Sequence, residues 1–171
     1  RRPHPHRGAQ GGALRAQRLG QLVPELPLHL TRFHGCGLGA DLELDAARAV
    51  LATRLCSLAQ GVSGVSPALL ERLCWLLEQD LVPRIPEEGS VGASGDLTPL
   101  SYVAAVLVGE RELHHDGVLR PAAEVYQELG VIPLTLRPKE GLALMNGTSV
   151  MTALACLAWQ RADYLARMAT R

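Results

Sequence analysis

The sequence predicts a mainly α chain, a bundle of long helices with one small β-hairpin. Leucines and alanines recur at three- and four-residue steps through two consecutive segments, which is the spacing of a helix with one buried face. A third segment, residues 98–108, is almost wholly apolar, and a fourth is apolar-periodic from about residue 148 to the end of the chain. A single Asp116-Gly117 pair between short strand-like segments is typical of a tight hairpin turn.

Taken in order, the elements follow from local signals. A helix is expected from about Asp41 to Gln60, with Gly61 ending it. Ser66 is expected to cap the next helix, with Pro67 at its first position, and this helix should end before Pro83. The remaining predictions are a helix over 98–108, the hairpin over 112–119, a short helix over 122–129 and a long helix from 148 onward. Residues 1–25 are expected to be poorly ordered, although a basic nucleic-acid arm is the alternative.

Composition narrows the function classes. The chain has 171 residues and a mass of 18.3 kDa, which suits one domain or part of a larger one. Lys and Arg number 17, as do Asp and Glu, so no net field attracts nucleic acid or an anionic membrane. Aromatic residues make up only 4%, too few for base stacking. The longest apolar run covers residues 150–159, well short of the ~20 residues of a spanning helix. No nucleic-acid or membrane partner is therefore predicted.

The cysteines indicate a compartment. They are Cys36, Cys56, Cys74 and Cys156, widely spaced and without a C-x-x-C pair. This pattern favours reduced, buried thiols in a cytoplasmic protein over a disulfide framework.

A glycine-rich cluster and two polar clusters are candidate binding sites. Gly35, Gly37 and Gly39 could cradle a phosphate, but a dinucleotide site needs its third glycine one position later and a preceding strand, so a tight turn is favoured. His34 with Cys36, and the run of residues 114–116 (His-His-Asp), have metal-ligand types without metal-site spacing. No metal is predicted.

The most informative stretch is the Ala93-Ser94-Gly95 triplet in a glycine-rich loop. Gly95 lacks a Cβ, so its amide nitrogen can bend back to the carbonyl of Ala93. Ser94 carries a β-hydroxyl that can leave as water and create an exocyclic alkene. Asp96, the next residue, is a candidate for the proton transfers that this cyclisation needs.

With its surroundings, this triplet resembles the aromatic amino acid ammonia-lyases, and most of all their histidine ammonia-lyase branch. The segment VGASGDLTPLSY (91–102) is similar to the loop in which that family forms 4-methylidene-imidazol-5-one (MIO). LCSLAQGVSGVSPALLERL (55–73) resembles the family's preceding helix–loop–helix, and PLTLRPKEGLALMNGTSV (133–150) its downstream motif. The resemblance covers roughly residues 28–171.

The resemblance implies a fumarase/aspartase-like fold and an MIO cofactor formed from Ala93, Ser94 and Gly95, with no metal. Asn146 would hydrogen-bond the prosthetic group and the substrate's amine region, and His34 would contact the substrate's side chain. The substrate would be a small aromatic amino acid, L-histidine giving urocanate and ammonia being the first expectation. The parent enzyme would be a homotetramer.

Several departures from the family pattern keep alternatives open. The family's catalytic tyrosine loop has no counterpart here, and its C-terminal helices would lie beyond Arg171, so residues 26–171 are expected to be a partial MIO-bearing domain. Ser149 and Phe33 stand where histidine-selective members usually have Gln and Ser, and Ser101-Tyr102 resembles the phenylalanine/tyrosine branch. A tyrosine or phenylalanine ammonia-lyase, or an MIO aminomutase, is therefore the alternative enzyme. A catalytically inactive folded remnant is the alternative of a different class.

Overall fold

A computed structural model of the chain describes residue 20 and residues 22–170, and the predicted poor order of residues 1–25 falls almost entirely outside them. The elements in chain order are helix α1 (Leu26–His34), strand β1 (Leu38–Asp41), helices α2 (Leu44–Leu58) and α3 (Pro67–Glu78), strands β2 (Val82–Pro83) and β3 (Pro86–Glu88), helix α4 (Leu97–Leu107), strands β4 (Glu112–His115) and β5 (Val118–Pro121), and helices α5 (Ala122–Glu128), α6 (Glu140–Met145) and α7 (Ser149–Ala169). The mainly α fold class is confirmed.

Helix α4 forms the centre of the molecule. Every residue from Thr98 to Leu107 is buried, as expected of a helix that is apolar on all sides. Helices α1 and α6 pack against it, and α2 packs against both α3 and α7. The glycine-rich loop therefore leads directly into the most buried element of the fold, which gives the candidate site a rigid base.

The hairpin is confirmed and extended. β4 pairs with β5, and the turn residues Asp116 and Gly117 have φ values of 51° and 75°, the left-handed geometry that such a turn requires. β2 adds to β4 as a third antiparallel strand, while β1 and β3 form a separate two-stranded sheet. The sequence signals did not predict β1, β2 or β3, since each is only two to four residues long.

The predicted start of α2 was wrong, whereas α3 begins at Pro67 with Ser66 at its N-cap, as predicted. Asp41 belongs to β1, because it pairs with Pro86 and its carboxylate accepts hydrogen bonds from Arg84 Nε at 2.9 and 3.0 Å; the helix begins at Leu44. The Ser66 side chain makes no capping hydrogen bond. Its backbone N–H instead donates to the carboxylate of Glu140, 2.7 Å away, so the helix start is tied to a distant segment.

Two short helices, α1 and α6, were not predicted. Neither shows a clear periodic signal, and both are held by tertiary packing on α4 and on each other. The short helix predicted over 122–129 is confirmed as α5, although it has only seven residues. Gly141 permits the close contact between α1 and α6, since a Cβ at this position would lie 3.0 Å from Pro27 Cβ. Only α7, with 21 residues, exceeds 15 residues within the described part of the chain.

The prediction of buried cysteines was wrong for Cys36, Cys56 and Cys156, which are exposed, while Cys74 is half-buried; all four are free thiols. One helical stretch among the described residues, Glu140–Ala169, is long and apolar enough by composition to cross a membrane, with a mean hydropathy of 1.5 in its most apolar window, 33% of which is buried. The longest uninterrupted apolar run did not predict this stretch, because isolated polar residues divide it into shorter runs. Core helices of soluble proteins have the same profile.

Candidate active site

The Ala93-Ser94-Gly95 triplet lies in the loop that joins β3 to α4. Ala93 and Ser94 are exposed, whereas the chain becomes buried from Asp96 onward. Gly92 and Gly95 adopt φ values of 64° and 110°, in the left-handed region that favours glycine. The loop thus presents the serine hydroxyl outward from a backbone held at its C-terminal end.

Gly95 is pressed against the Asn146-Gly147 turn, which separates α6 from α7. A Cβ built on Gly95 would lie 2.8 Å from Gly147 N and 2.9 Å from Asn146 Oδ1, closer than real Cβ contacts come. The Asp96 N–H also donates to the Gly147 carbonyl at 2.7 Å. The structure therefore brings together the triplet and Asn146, two motifs about fifty residues apart in the sequence.

Asp96 anchors the end of the loop to helix α7. It is only 5% exposed, and its Oδ2 accepts hydrogen bonds from the N–H groups of Val150 (2.9 Å) and Met151 (3.1 Å) in the first turn of that helix. Its Oδ1 accepts from the Ser90 hydroxyl at 2.9 Å. A carboxylate is favoured at a helix N-terminus by the unpaired N–H groups and the helix dipole. These contacts hold the loop in place; the role of Asp96 in proton transfer stays a prediction.

A buried arginine on α2 lies behind the Asn146-Gly147 turn. Arg54 is 2% exposed, and its guanidinium donates to the carbonyls of Ala143, Leu144 and Asn146. Sequence analysis did not identify it. Its position in the sequence could have indicated a buried arginine, because it lies three residues after Leu51 and four before Leu58, on the apolar face of α2. A charge on that face needs a partner, since an unpaired buried charge is costly.

His34 lies at the C-terminal end of α1 and is not brought into the same cluster as Gly95. Its segment does approach the base of the loop, since a Cβ on Gly89 would lie 3.3 Å from Gly37 Cα. The Gly37 N–H donates to the Tyr102 hydroxyl at 3.0 Å, and Arg111 Nη2 donates to the Gly35 carbonyl at 2.6 Å. Tyr102 and Arg111 thus fix the chain that follows His34; neither was singled out for this role from the sequence.

The same segment excludes the dinucleotide interpretation. The three glycines follow helix α1 and lead into strand β1, the reverse of the strand-to-helix order that places a pyrophosphate at a helix N-terminus. Among the described residues, no three His, Cys, Asp or Glu side chains lie close enough together to hold a metal ion.

The loop fits the conversion of the triplet into a cyclic group. A side chain on Gly95 would collide with Asn146 and Gly147, so only a glycine lets the backbone of the triplet lie this close to the turn. Asn146 is exposed beside the triplet, and its side-chain amide can both donate and accept hydrogen bonds.

Glu140 links the second motif to helix α3. It is 4% exposed, and its carboxylate accepts from the N–H groups of Ser66 (2.7 Å) and Arg137 (2.6 Å). Burial acts to raise the pKa of Glu140, but these hydrogen bonds outweigh it and the pKa lies below its ordinary value of 4.5. The folded state therefore favours the carboxylate.

This shift predicts an acid-sensitive contribution to stability. A depressed folded-state pKa stabilises the protein above the ordinary pKa, and this stabilisation is lost as the pH falls through the folded value. Glu140→Gln should lower the unfolding free energy at neutral pH by about 1–3 kcal/mol, because the amide NH₂ of glutamine would face a backbone N–H donor. The thermal midpoint should fall with it. Melting curves between neutral pH and about pH 3 should converge in acid. Glu71→Gln is the control for the loss of one charge, because Glu71 is an exposed residue on α3. If the difference in thermal midpoint between Glu140→Gln and wild type stayed the same from neutral pH to about pH 3, the interpretation would be contradicted.

Comparisons with known proteins agree with this geometry. The family model described as "Aromatic amino acid lyase" matches residues 10–171. A histidine ammonia-lyase from Geobacillus kaustophilus (strain HTA426) is 44% identical over 147 residues, which is 86% of this chain and 29% of that protein. An MIO-dependent tyrosine 2,3-aminomutase from Streptomyces globisporus is 51% identical over 138 residues, 81% of this chain and 26% of that protein. The crystal structure of a histidine ammonia-lyase from Trypanosoma cruzi superposes with a TM-score of 0.82 at 40% identity, covering 87% of this chain and 29% of that one. The chain thus spans less than a third of the length of these relatives.

Proposed function

This chain belongs to the aromatic amino acid lyase family, and from that premise we propose that it is the prosthetic-group-bearing part of an ammonia-lyase. The observation that carries the proposal is the contact between Gly95 and the Asn146-Gly147 turn. It supports a loop whose C-terminal end is fixed while Ala93 and Ser94 are free to react. Residues 26–171 are accordingly proposed to form a partial MIO-bearing domain.

The proposed group forms from the chain's own atoms. The Gly95 nitrogen attacks the Ala93 carbonyl carbon, a C–N bond forms, and the carbonyl oxygen leaves as water with the hydrogens of the Gly95 and Ser94 nitrogens. The Ser94 hydroxyl then leaves as a second water with the Cα hydrogen of Ser94, giving a Cα=Cβ double bond. No oxidant or metal is needed, because both steps are dehydrations. Asp96 holds the end of the loop, and as the residue next to Gly95 in the sequence it is proposed to assist the proton transfers.

The MIO group supplies an electrophile toward the amino acid, which makes ammonia a better leaving group. Asn146 is proposed to hydrogen-bond this group and the amine region of the substrate through its exposed amide. His34 is proposed to contact the substrate's side chain. An imidazole-bearing substrate suits that contact, since two imidazoles can share an N–H···N hydrogen bond. We therefore favour L-histidine, converted to urocanate and ammonia, in the cytoplasm.

A second candidate is an aminomutase that returns ammonia to the β-carbon. The observation that favours it is the 51% identity to a tyrosine 2,3-aminomutase, together with Phe33 and Ser149, which stand where histidine-selective members usually have Ser and Gln. Both candidates need the same prosthetic group. They differ in product, since a lyase releases an unsaturated acid and a mutase a β-amino acid.

The whole protein is proposed to be a homotetramer. Helix α7 supports this, because much of its length shows apolar side chains to solvent, which a stable protein usually covers. The exposed large apolar residues of this helix are Met151, Leu154, Trp159, Tyr164, Leu165 and Met168. Sedimentation of the complete protein measures the assembly directly.

The deciding experiment combines mass and turnover on the complete native protein. We expect its intact mass to be short by two waters, and peptides spanning residues 84–111 to localise the deficit to Ala93–Gly95. The protein is then incubated separately with L-histidine, L-tyrosine and L-phenylalanine. Urocanate and ammonia would support the first candidate, and a β-amino acid the second. An unmodified mass without turnover would overturn both and favour an inactive folded remnant.

A further inference from the structure

One guanidinium holds both sides of the turn against which Gly95 is pressed. Arg54 Nε donates to the Leu144 carbonyl at 2.8 Å, and Nη2 donates to the carbonyls of Ala143 and Asn146, the latter at 3.3 Å. These carbonyls belong to the last turn of α6, where they have no partner within the helix. Nη1 contacts the Ser149 hydroxyl at 3.4 Å, in the first turn of α7. A single buried side chain therefore joins the end of one helix to the start of the next.

Gly147 is enclosed between this guanidinium and the reactive loop. A Cβ on Gly147 would overlap Arg54 Nη1, while the backbone nitrogen and oxygen of Gly147 are the atoms that face Gly95. The order in space is thus Arg54, then Gly147, then Gly95. If the guanidinium were shortened or moved, the turn would lose the support that keeps it against the loop.

The electrostatic setting agrees with a fixed cation at this point. Burial lowers the pKa of Arg54, and the nearby carboxylate of Asp96 partly offsets this. Asp96 itself holds the other end of the contact, since its N–H donates to the Gly147 carbonyl. A lysine keeps the charge, but its three N–H donors all start from one nitrogen, so it cannot span the carbonyls that two separate guanidinium nitrogens reach.

From this arrangement we infer that Arg54 is a positioning residue for the cyclisation of Ala93-Ser94-Gly95. It acts through the Asn146-Gly147 turn, by holding that turn where it confines the Gly95 backbone. The inference rests on the proposed function, because it presupposes that the triplet cyclises. It goes beyond it by assigning the confinement to a residue on a separate helix, whose hydrogen bonds all go to α6, the Asn146-Gly147 turn and α7.

The test follows the maturation of newly synthesised complete protein by mass. Arg54→Lys should slow the appearance of the two-water deficit by about 10–100-fold, the range expected when a reacting group is displaced by roughly 1 Å. The folded fraction is measured in parallel by thermal unfolding. The matched control is Arg72→Lys, because Arg72 also donates to a backbone carbonyl (Ile132, 3.0 Å) and lies over the Trp75 ring, away from the loop. It should mature at the wild-type rate.

The outcomes separate this inference from the proposed function. A wild-type protein that never loses water would overturn the proposed function. If the wild type matures and Arg54→Lys matures equally fast, only the role of Arg54 is overturned. The same holds if Arg72→Lys loses a similar amount of stability and matures as slowly as Arg54→Lys. If Arg54→Lys does not fold, Gly147→Ala tests the same contact from the other side, since its Cβ displaces either the guanidinium or the turn. Wild-type maturation of folded Gly147→Ala would contradict the inference.

Discussion

Ser94→Ala is expected to abolish the two-water mass deficit and to lower turnover by more than about 10³-fold. Alanine has no β-hydroxyl, so the second dehydration has no leaving group and the exocyclic double bond cannot form. At most one water can be lost, through closure of the ring alone. The side chain of Ser94 is exposed, and its removal should leave the thermal midpoint close to that of the wild type.

The control for this variant is Ser57→Ala, which removes an exposed hydroxyl from helix α2, well outside the loop in sequence. It should keep the full deficit and full turnover. Intact-mass measurement and an ammonia-release assay on the same preparations give the two readouts. A Ser94→Ala protein that still lacks two waters, or still releases ammonia at the wild-type rate, would remove the triplet from the chemistry.

How far the sequence predicts this fold depends on whether an element carries its own local signal, since the seven-residue α5 was predicted and the nine-residue α1 was not. The long helices and the hairpin were found because their signals are local: a repeated apolar spacing, or an Asp-Gly pair that tolerates positive φ. α1 and α6 escaped because a helix of one or two turns has little intrinsic stability and forms only when packed. Asp41 was predicted as a helix start because its strand pairing depends on a distant segment; its partner Arg84 is 43 residues away.

The candidate site likewise contains residues that a local motif identifies and residues that only the fold brings together. Ala93, Ser94 and Gly95 were identifiable because the chemistry needs those three residue types in immediate succession. Asn146 was tied to them only by resemblance, until the fold brought Asn146 Oδ1 next to Gly95. The supporting contacts could not be predicted, because they join residues far apart in the chain; Arg54 and Asn146 are separated by 92 positions.

This distribution has a consequence for function. In the proposed cyclisation the reacting atoms come from one loop, whereas the contacts that hold this loop come from α2, α6 and α7. Cyclisation should therefore respond to substitutions at a distance from Ser94 that leave the triplet intact. It should also fail in any unfolded chain, where the same triplet is present without the turn that confines it.

The strongest test of confinement, as distinct from chemistry, is Gly95→Ala. The substitution keeps every atom that the two dehydrations use and adds a single methyl group. That methyl would lie 2.8 Å from Gly147 N and 2.9 Å from Asn146 Oδ1, so the loop must move away from the turn. We expect loss of the mass deficit and a fall in turnover of about 10²-fold or more, because the nitrogen of residue 95 is no longer held near the Ala93 carbonyl.

Gly92→Ala separates crowding from backbone strain. Gly92 lies in the same loop with φ of 64°, and a Cβ there would meet no heavy atom within 4 Å among the described residues. Both variants place an alanine at positive φ, 64° at residue 92 and 110° at residue 95, which costs about 1–2 kcal/mol or more, but only Gly95→Ala adds the clash. If confinement by the turn drives cyclisation, Gly92→Ala matures and Gly95→Ala does not. Equal loss in both would assign the effect to loop strain, and equal maturation would show that close contact with the turn is not required.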